Sequence, residues 1–357
     1  MKRGRTVITR SRVKNVGAKP GGPVLSWPSK ITTWNESQWP APQTERWPFL
    51  MFAFSTCWNS QRHSDGREMI HEVRALGFEY VELGHGTRLS LLEGVQKAVA
   101  EGEIKISSLH NFCPLPFGVM GPAPDYYLPS SRDEGERQAA VQHTLRTIDW
   151  AAALGARAVV LHLGRVQMRD YTKRLLALYD AGQGNTPKFQ RLREKSVAVR
   201  DKKRQKHLDQ VYRTLEAVLA HAQSAGVKLG IETRYNLEEI PDEQETEEIL
   251  TRFGADTIGY WHDVGHTAVK ELLGVMVTEA VLNRFHGRTL GMHLQDFAPP
   301  AADHQPPGFG TFDFVRLTHF VTDDMLLVWE IHPDWKAEQI VDGVQRVQSL
   351  LGKAITE

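Results

Sequence analysis

Four segments in the second half of this 357-residue chain end in side chains that bind cations. They read Gly230-Ile-Glu232-Thr-Arg234, Tyr260-Trp-His-Asp263-Val-Gly-His266, Gly291-Met-His293-Leu-Gln-Asp296 and Val328-Trp-Glu330-Ile-His332. Each closes a short apolar run, so Glu232, Asp263, His293 and Glu330 stand at the ends of four successive strand-like segments. Three carboxylates and one imidazole suit a hard-to-borderline divalent ion (Mn2+, Mg2+, Co2+ or Zn2+) rather than one that seeks thiolates. His110 and His162 end two earlier apolar runs and form a second group, in which Glu232 would bridge to a second ion. Arg234 and Asp296 stand beside these residues, placed to orient ligands or to bind substrate hydroxyls. A lone strand histidine is more often a hydrogen-bonded core group, and a strand-end acid often caps the next helix. Six such residues on six strands fit that reading poorly, because a charge facing a barrel interior costs several kcal/mol unless it is paired or metal-bound.

What must position these groups is an alternation of helix and strand. Six times a helix-like stretch stops at a glycine (Gly77, Gly102, Gly155, Gly226, Gly254, Gly287) and an apolar run follows that ends in an acid or histidine, from Glu82 and His110 onward. A glycine supplies the left-handed cap that closes a helix, and a buried parallel strand commonly follows. Strand-like runs fall at 50–56, 80–83, 104–110, 158–163, 227–232, 257–263, 290–294 and 325–331. Helical periods fall at about 66–76, 89–101, 136–154, 206–225, 242–253, 275–286 and 336–351. Asp65 and Glu68 read as a capping box at the first helix. The seventh strand lacks a clear helix, for which 312–321 is the candidate. Eight β/α units in about 300 residues predict a closed (β/α)8 TIM barrel, for which about 250 residues is typical. A doubly wound open sheet would carry a glycine-rich phosphate turn after its first strand, and Phe54-Ser-Thr-Cys-Trp-Asn59 is not one.

Two parts stand outside that pattern. Residues 1–48 hold six prolines and four tryptophans without a sustained period, and seven Lys/Arg with no acid fall within residues 1–20. They read as an extension, flexible or packed on a barrel of 49–355. After the fourth strand, residues 165–206 carry thirteen Lys/Arg against four acids, a basic insertion that reads equally as a solvated flap or as a lid whose cations hold an anionic substrate. The net charge is zero, which gives no global field to recruit nucleic acid. No run approaches the ~20 apolar residues of a membrane span. Two cysteines, Cys57 and Cys113, are too few for a disulfide framework and point to the cytoplasm. Neither shows a sign of thiolate activation, and Trp58, Trp261 and Trp329 read either as packing or as a wall for a sugar face.

Over about residues 50–355 the chain resembles the xylose isomerase-like barrels, a sugar phosphate isomerase/epimerase group that includes ketose 3-epimerases, with endonuclease IV as a more distant relative. Ile231-Glu232, Asp263-Val-Gly-His266, His293-Leu-Gln-Asp296 and Trp329-Glu330 carry the likeness. It implies that Glu232, Asp263, His293 and Glu330 hold the metal and that Glu232 and Glu330 are also the acid and base. It further implies that His266 and Glu238, six residues after Glu232, touch substrate, with His110 and His162 open to substrate or to the second ion. The chain departs from the family at Pro299, where the epimerases carry arginine, and at Gly308-Phe309-Gly310, where many members have Gly-Glu-Gly. The endonuclease IV likeness rests on His110, His162, His266 and His304, but its third-ion Asp-x-His is Ala302-Asp303-His304 here, one ligand short. The implied activity is isomerisation or epimerisation of a sugar or related hydroxy-ketone, by proton abstraction to a metal-stabilised enediolate. The alternatives are a multinuclear hydrolase of phosphodiesters or glycosides and a non-catalytic sugar-binding barrel. One ion per chain goes with the isomerase and two or three with the hydrolase. The expected partners are a small sugar-like substrate and a second copy of the chain, since such barrels often pair through their rims.

Overall fold

The computed structural model describes residues 50–254 and 256–356, and the expected extension at 1–48 lies outside them. The strands in chain order are β1 (Met51–Ser55), β2 (Tyr80–Leu83), β3 (Lys105–His110), β4 (Ala158–Leu161), β5 (Lys228–Glu232), β6 (Ile258–Asp263), β7 (Thr289–Leu294), β8 (Asp296–Ala298), β9 (Ala302–Gln305) and β10 (Leu326–Trp329). Eight of them close a barrel, β1-β2-β3-β4-β5-β6-β7-β10, every pair parallel. β8 and β9 form a separate antiparallel hairpin. The eight expected strands are therefore all present, because short apolar runs buried on both faces leave little other choice. The helix-ending glycines all have positive φ, from 68° at Gly226 to 95° at Gly77.

The barrel is filled, not hollow. The Trp261 indole lies inside it with Met51, Ala53, Val160, Leu326 and Val328. A Cβ at Gly230 or Gly291 would stand 2.8 or 2.7 Å from that ring, which is why two strands carry glycine at their inward positions.

Helices α1 (Gly66–Ala75), α2 (Leu89–Ala100), α3 (Glu134–Ala153), α4 (Thr172–Asp180), α5 (Pro187–Ser224), α6 (Glu243–Phe253), α7 (Val264–Leu272), α8 (Thr278–Arg284) and α9 (Ala337–Thr356) complete the units. The largest departure from expectation is α5, which begins nineteen residues before the expected 206. Its first half is rich in Lys, Arg, Gln and Glu, good helix formers that leave no apolar stripe for a period to reveal. Thr186 accepts a bond from Phe189 N at 3.3 Å and Pro187 opens the helix. The basic insertion is thus largely helical, and two of its cations are engaged in ion pairs. Arg200 pairs with Asp242 and Glu245 and donates to the carbonyls of Leu237 and Glu239, while Arg204 pairs with Glu248. Asp65 caps α1 through Arg67 N and Glu68 N, yet the reciprocal capping box forms instead at Asp242 and Glu245 of α6. Residues 312–321 supply only a 3-10 turn, Phe314–Leu317. Among the described residues no helix is long and apolar enough to cross a membrane.

Candidate metal centre

Because β5, β6, β7 and β10 are barrel neighbours, their ends bring Glu232, Asp263, His293 and Glu330 together. One ligand atom from each lies within 4.8 Å of the others. His293 is the hub. Its Nδ1 stands 3.0 Å from Glu330 Oε2, 3.2 Å from Glu232 Oε1 and 3.6 Å from Asp263 Oδ2. Its Nε2 is 3.3 Å from Glu82, whose Oε2 also accepts from Ser108 Oγ at 2.8 Å. A metal-binding histidine uses one nitrogen and is held by the other, so an Nε2–H given to Glu82 leaves Nδ1 for an ion. Asp263 combines the two roles that the sequence offered as alternatives: Oδ1 caps α7 by accepting from His266 N at 2.7 Å, and Oδ2 faces His293. Gln295 Nε2 donates to both of its oxygens, at 3.0 and 2.8 Å.

Burial pushes the Glu232 carboxyl up, but His162, His110 and His293 outweigh it and hold the group well below the ordinary carboxylate range. Glu330 is buried too and is held down by His293 and His304. Burial acts against the His293 imidazolium, and Glu330 and Glu82 raise it well above the usual value. Three carboxylates around one imidazole, all almost fully buried, are a costly arrangement unless a cation joins them, and the donor set fits a divalent ion.

Two further groups adjoin this one. His110, His162 and Glu232 offer three atoms within 4.8 Å of one another, and so do His266, Asp303 and His304. In the third group an acid, Asp303, stands beside the two histidines although position 302 carries alanine. Adjacent residues of a regular strand point to opposite faces, but His304 has φ of 55°, and this left-handed turn brings its ring to the same side as Asp303. His304 Nδ1 lies 3.2 Å from Asp303 Oδ1, His266 Nε2 lies 3.7 Å from Asp303 Oδ2, and His304 Nε2 lies 3.7 Å from Glu330 Oε2. The β8–β9 hairpin that carries both residues has no counterpart among the expected elements.

Some expected site residues are employed elsewhere. Glu238 does not reach the cluster: its carboxylate holds the start of α4, accepting from Tyr171 N at 2.5 Å, Thr172 N at 3.2 Å and Thr172 Oγ1 at 2.7 Å. Asp296 accepts from the amides of Phe297, Gly308, Gly310 and Phe312, which shapes the loop beyond the hairpin. Trp58, Trp261 and Trp329 are packed in the interior. Burial and the Glu330 charge raise the Cys57 thiol, and burial raises that of Cys113. The residues that the sequence left without a role are Glu82, Gln295, His85, Asp125 and Glu239. His85 packs edge-on to His110, ring centroids 4.9 Å apart, and burial pushes its imidazole down to about 3. Asp125 and Glu239 both hold Arg234.

Residues 70–350 match the family model described as a xylose isomerase-like TIM barrel. No curated protein sequence matches the chain. Solved structures of similar fold include a D-tagatose 3-epimerase-like protein, 17% identical with a TM-score of 0.58, covering 85% of this chain and 99% of that one. Another is 3-keto-D-glucoside 4-epimerase from E. coli, 13% identical with a TM-score of 0.55, covering 85% and 98%. The IOLI protein with a binding zinc atom is 14% identical with a TM-score of 0.57, covering 86% and 100%. At such identities the likeness to these structures is one of fold, whereas the family model spans most of the sequence, and the chain belongs to the xylose isomerase-like TIM-barrel family.

Proposed function

We propose that this protein is a divalent-metal-dependent isomerase or epimerase of a sugar or related hydroxy-ketone. The observation that carries the reading is the placement of Glu232 and Glu330 at the two ends of the four-strand arc, 3.2 and 3.0 Å from the same His293 nitrogen. Glu232, Asp263, His293 and Glu330 would hold the ion, which when bound polarises a carbonyl and lowers the pKa of the adjacent C–H. Of Glu232 and Glu330, one would accept that proton as a carboxylate, and the other, entering the cycle as the carboxylic acid, would deliver its proton from the opposite face or at the neighbouring carbon, so that the pair exchange protonation states in each turnover. His266 gives Nδ1–H to Thr233 O at 2.9 Å, which keeps Nε2 for a substrate hydroxyl. Two of the similar structures are named as 3- or 4-epimerases of keto sugars or their like, in keeping with this class. Incubation of the metal-loaded protein with a panel of ketoses and keto-glycosides in D2O should place deuterium on the carbon next to the carbonyl. Glu232→Gln or Glu330→Gln should slow this by about 100-fold or more.

A multinuclear hydrolase is the second reading, favoured by the His266–Asp303–His304 group beside the first. Cleavage of a model phosphodiester, an abasic DNA strand or a glycoside, with no deuterium exchange in any ketose, would replace the first reading with this one. Ketose binding with neither reaction would leave a sugar-binding barrel.

A further inference from the structure

The group formed by His110, His162 and Glu232 already contains a cation. Arg234, two residues beyond Glu232, directs its guanidinium there: Nη1 lies against His162 Nε2 and 3.4 Å from Glu232 Oε2. That oxygen also faces His162 Nε2 at 2.7 Å and His110 Nε2 at 3.3 Å. The guanidinium is anchored from its far side. Nη2 stands 3.3 Å from both Asp125 Oδ2 and Glu239 Oε1, and Glu239 Oε2 is itself fixed by Asn236 N at 2.7 Å. Asp125 Oδ1 lies 3.1 Å from His162 Nδ1 and so ties the imidazole to the same assembly. The Arg234 side chain is only 5% exposed. An ion in this group would need His162 Nε2 and Glu232 Oε2, the two atoms that the guanidinium touches. A divalent charge beside a buried arginine is repelled strongly, because water and salt screen little there.

We propose that Arg234 takes the place of a second metal ion, so that the chain binds no metal between His110 and His162. The fixed cation balances Glu232 Oε2 and leaves Oε1 to the four-residue centre. The inference deepens the isomerase reading and rests on it, since it supplies a reason for a lone ion on this arc.

The test is a metal count and a map, both made without substrate. Co2+-loaded wild-type protein should show no anomalous peak between His110 and His162. Arg234→Met, similar in length and uncharged, should bind one more ion per chain than wild type by elemental analysis, with a new peak between the two imidazoles. Arg234→Met combined with His110→Ala should return to the wild-type count. A peak between His110 and His162 in the wild type overturns the proposal, and so does a folded Arg234→Met protein that gains no ion. If Arg234→Met does not fold, the wild-type map alone decides. Failure here is separate from failure of the isomerase reading, which is read from deuterium exchange.

Discussion

His293 stands between three acids on one side of its ring and a fourth on the other, with different tasks. Glu232, Asp263 and Glu330 face its Nδ1, whereas Glu82 faces its Nε2 from across the barrel, buried and backed by Ser108. If Glu82 sets the ring's orientation and tautomer, Glu82→Leu should weaken divalent-ion binding by about 10- to 100-fold. Glu82→Gln, which can still accept the Nε2–H, should weaken it less. Competition titration with Co2+ reads the affinity, and thermal unfolding in chelator checks the fold. A lowered unfolding temperature with unchanged ion affinity would show Glu82 to be a packing residue only.

At the scale of elements, α7 starts on the Asp263 cap and places Lys270 in the interior, 3% exposed. Burial, then the Arg200 and Arg234 charges, push its ammonium down to about 8, while Glu239 and Asp242 act in the other direction; an unperturbed lysine titrates near 10.5. Below pH 8 the amine is charged in both the folded and unfolded chain, and the folded protein bears the full cost. As pH rises from 8 to 10.5 the folded state loses its proton first and the cost fades. Such a shift corresponds to about 3 kcal/mol. Lys270→Met should therefore stabilise the protein by that order at pH 7, with the gain shrinking toward pH 10.5. Urea unfolding at pH 7 and pH 10 reads this, and an equal gain at both would assign the effect to packing.

For the whole molecule, every barrel pairing lies between residues 51 and 329, and α9 follows at once with Ile340, Val344 and Leu351 in the core. A chain lacking residues 1–46 should accordingly unfold in one cooperative transition, within a few degrees of the full-length protein. Calorimetry of the two forms reads this, and a shortened chain that is insoluble or shows no transition would make the extension part of the core. The strands that carry Glu232, Asp263, His293 and Glu330 occupy one arc of the barrel, and the ends of β2, β3 and β4 contribute Glu82, His110 and His162 from the other. The centre is therefore assembled only when the barrel closes.

Apolar runs, glycine stops and strand-end acids are local features, set by residues a few positions apart, and they carried the eight strands, their order and the convergence of Glu232, Asp263, His293 and Glu330. The length of α5 was not legible, because a polar helix held by ion pairs to α6 has no apolar period. What each polar side chain is engaged with was decided by tertiary structure, because its partners are brought together only by barrel closure. Glu82 meets His293 from 211 residues away, Glu238 is drawn to the amides of α4, and Arg234 enters the group of His110 and His162 because Asp125 and Glu239 hold it there. His304 joins Asp303 through one left-handed residue in a hairpin, a backbone choice that strand alternation alone does not reveal.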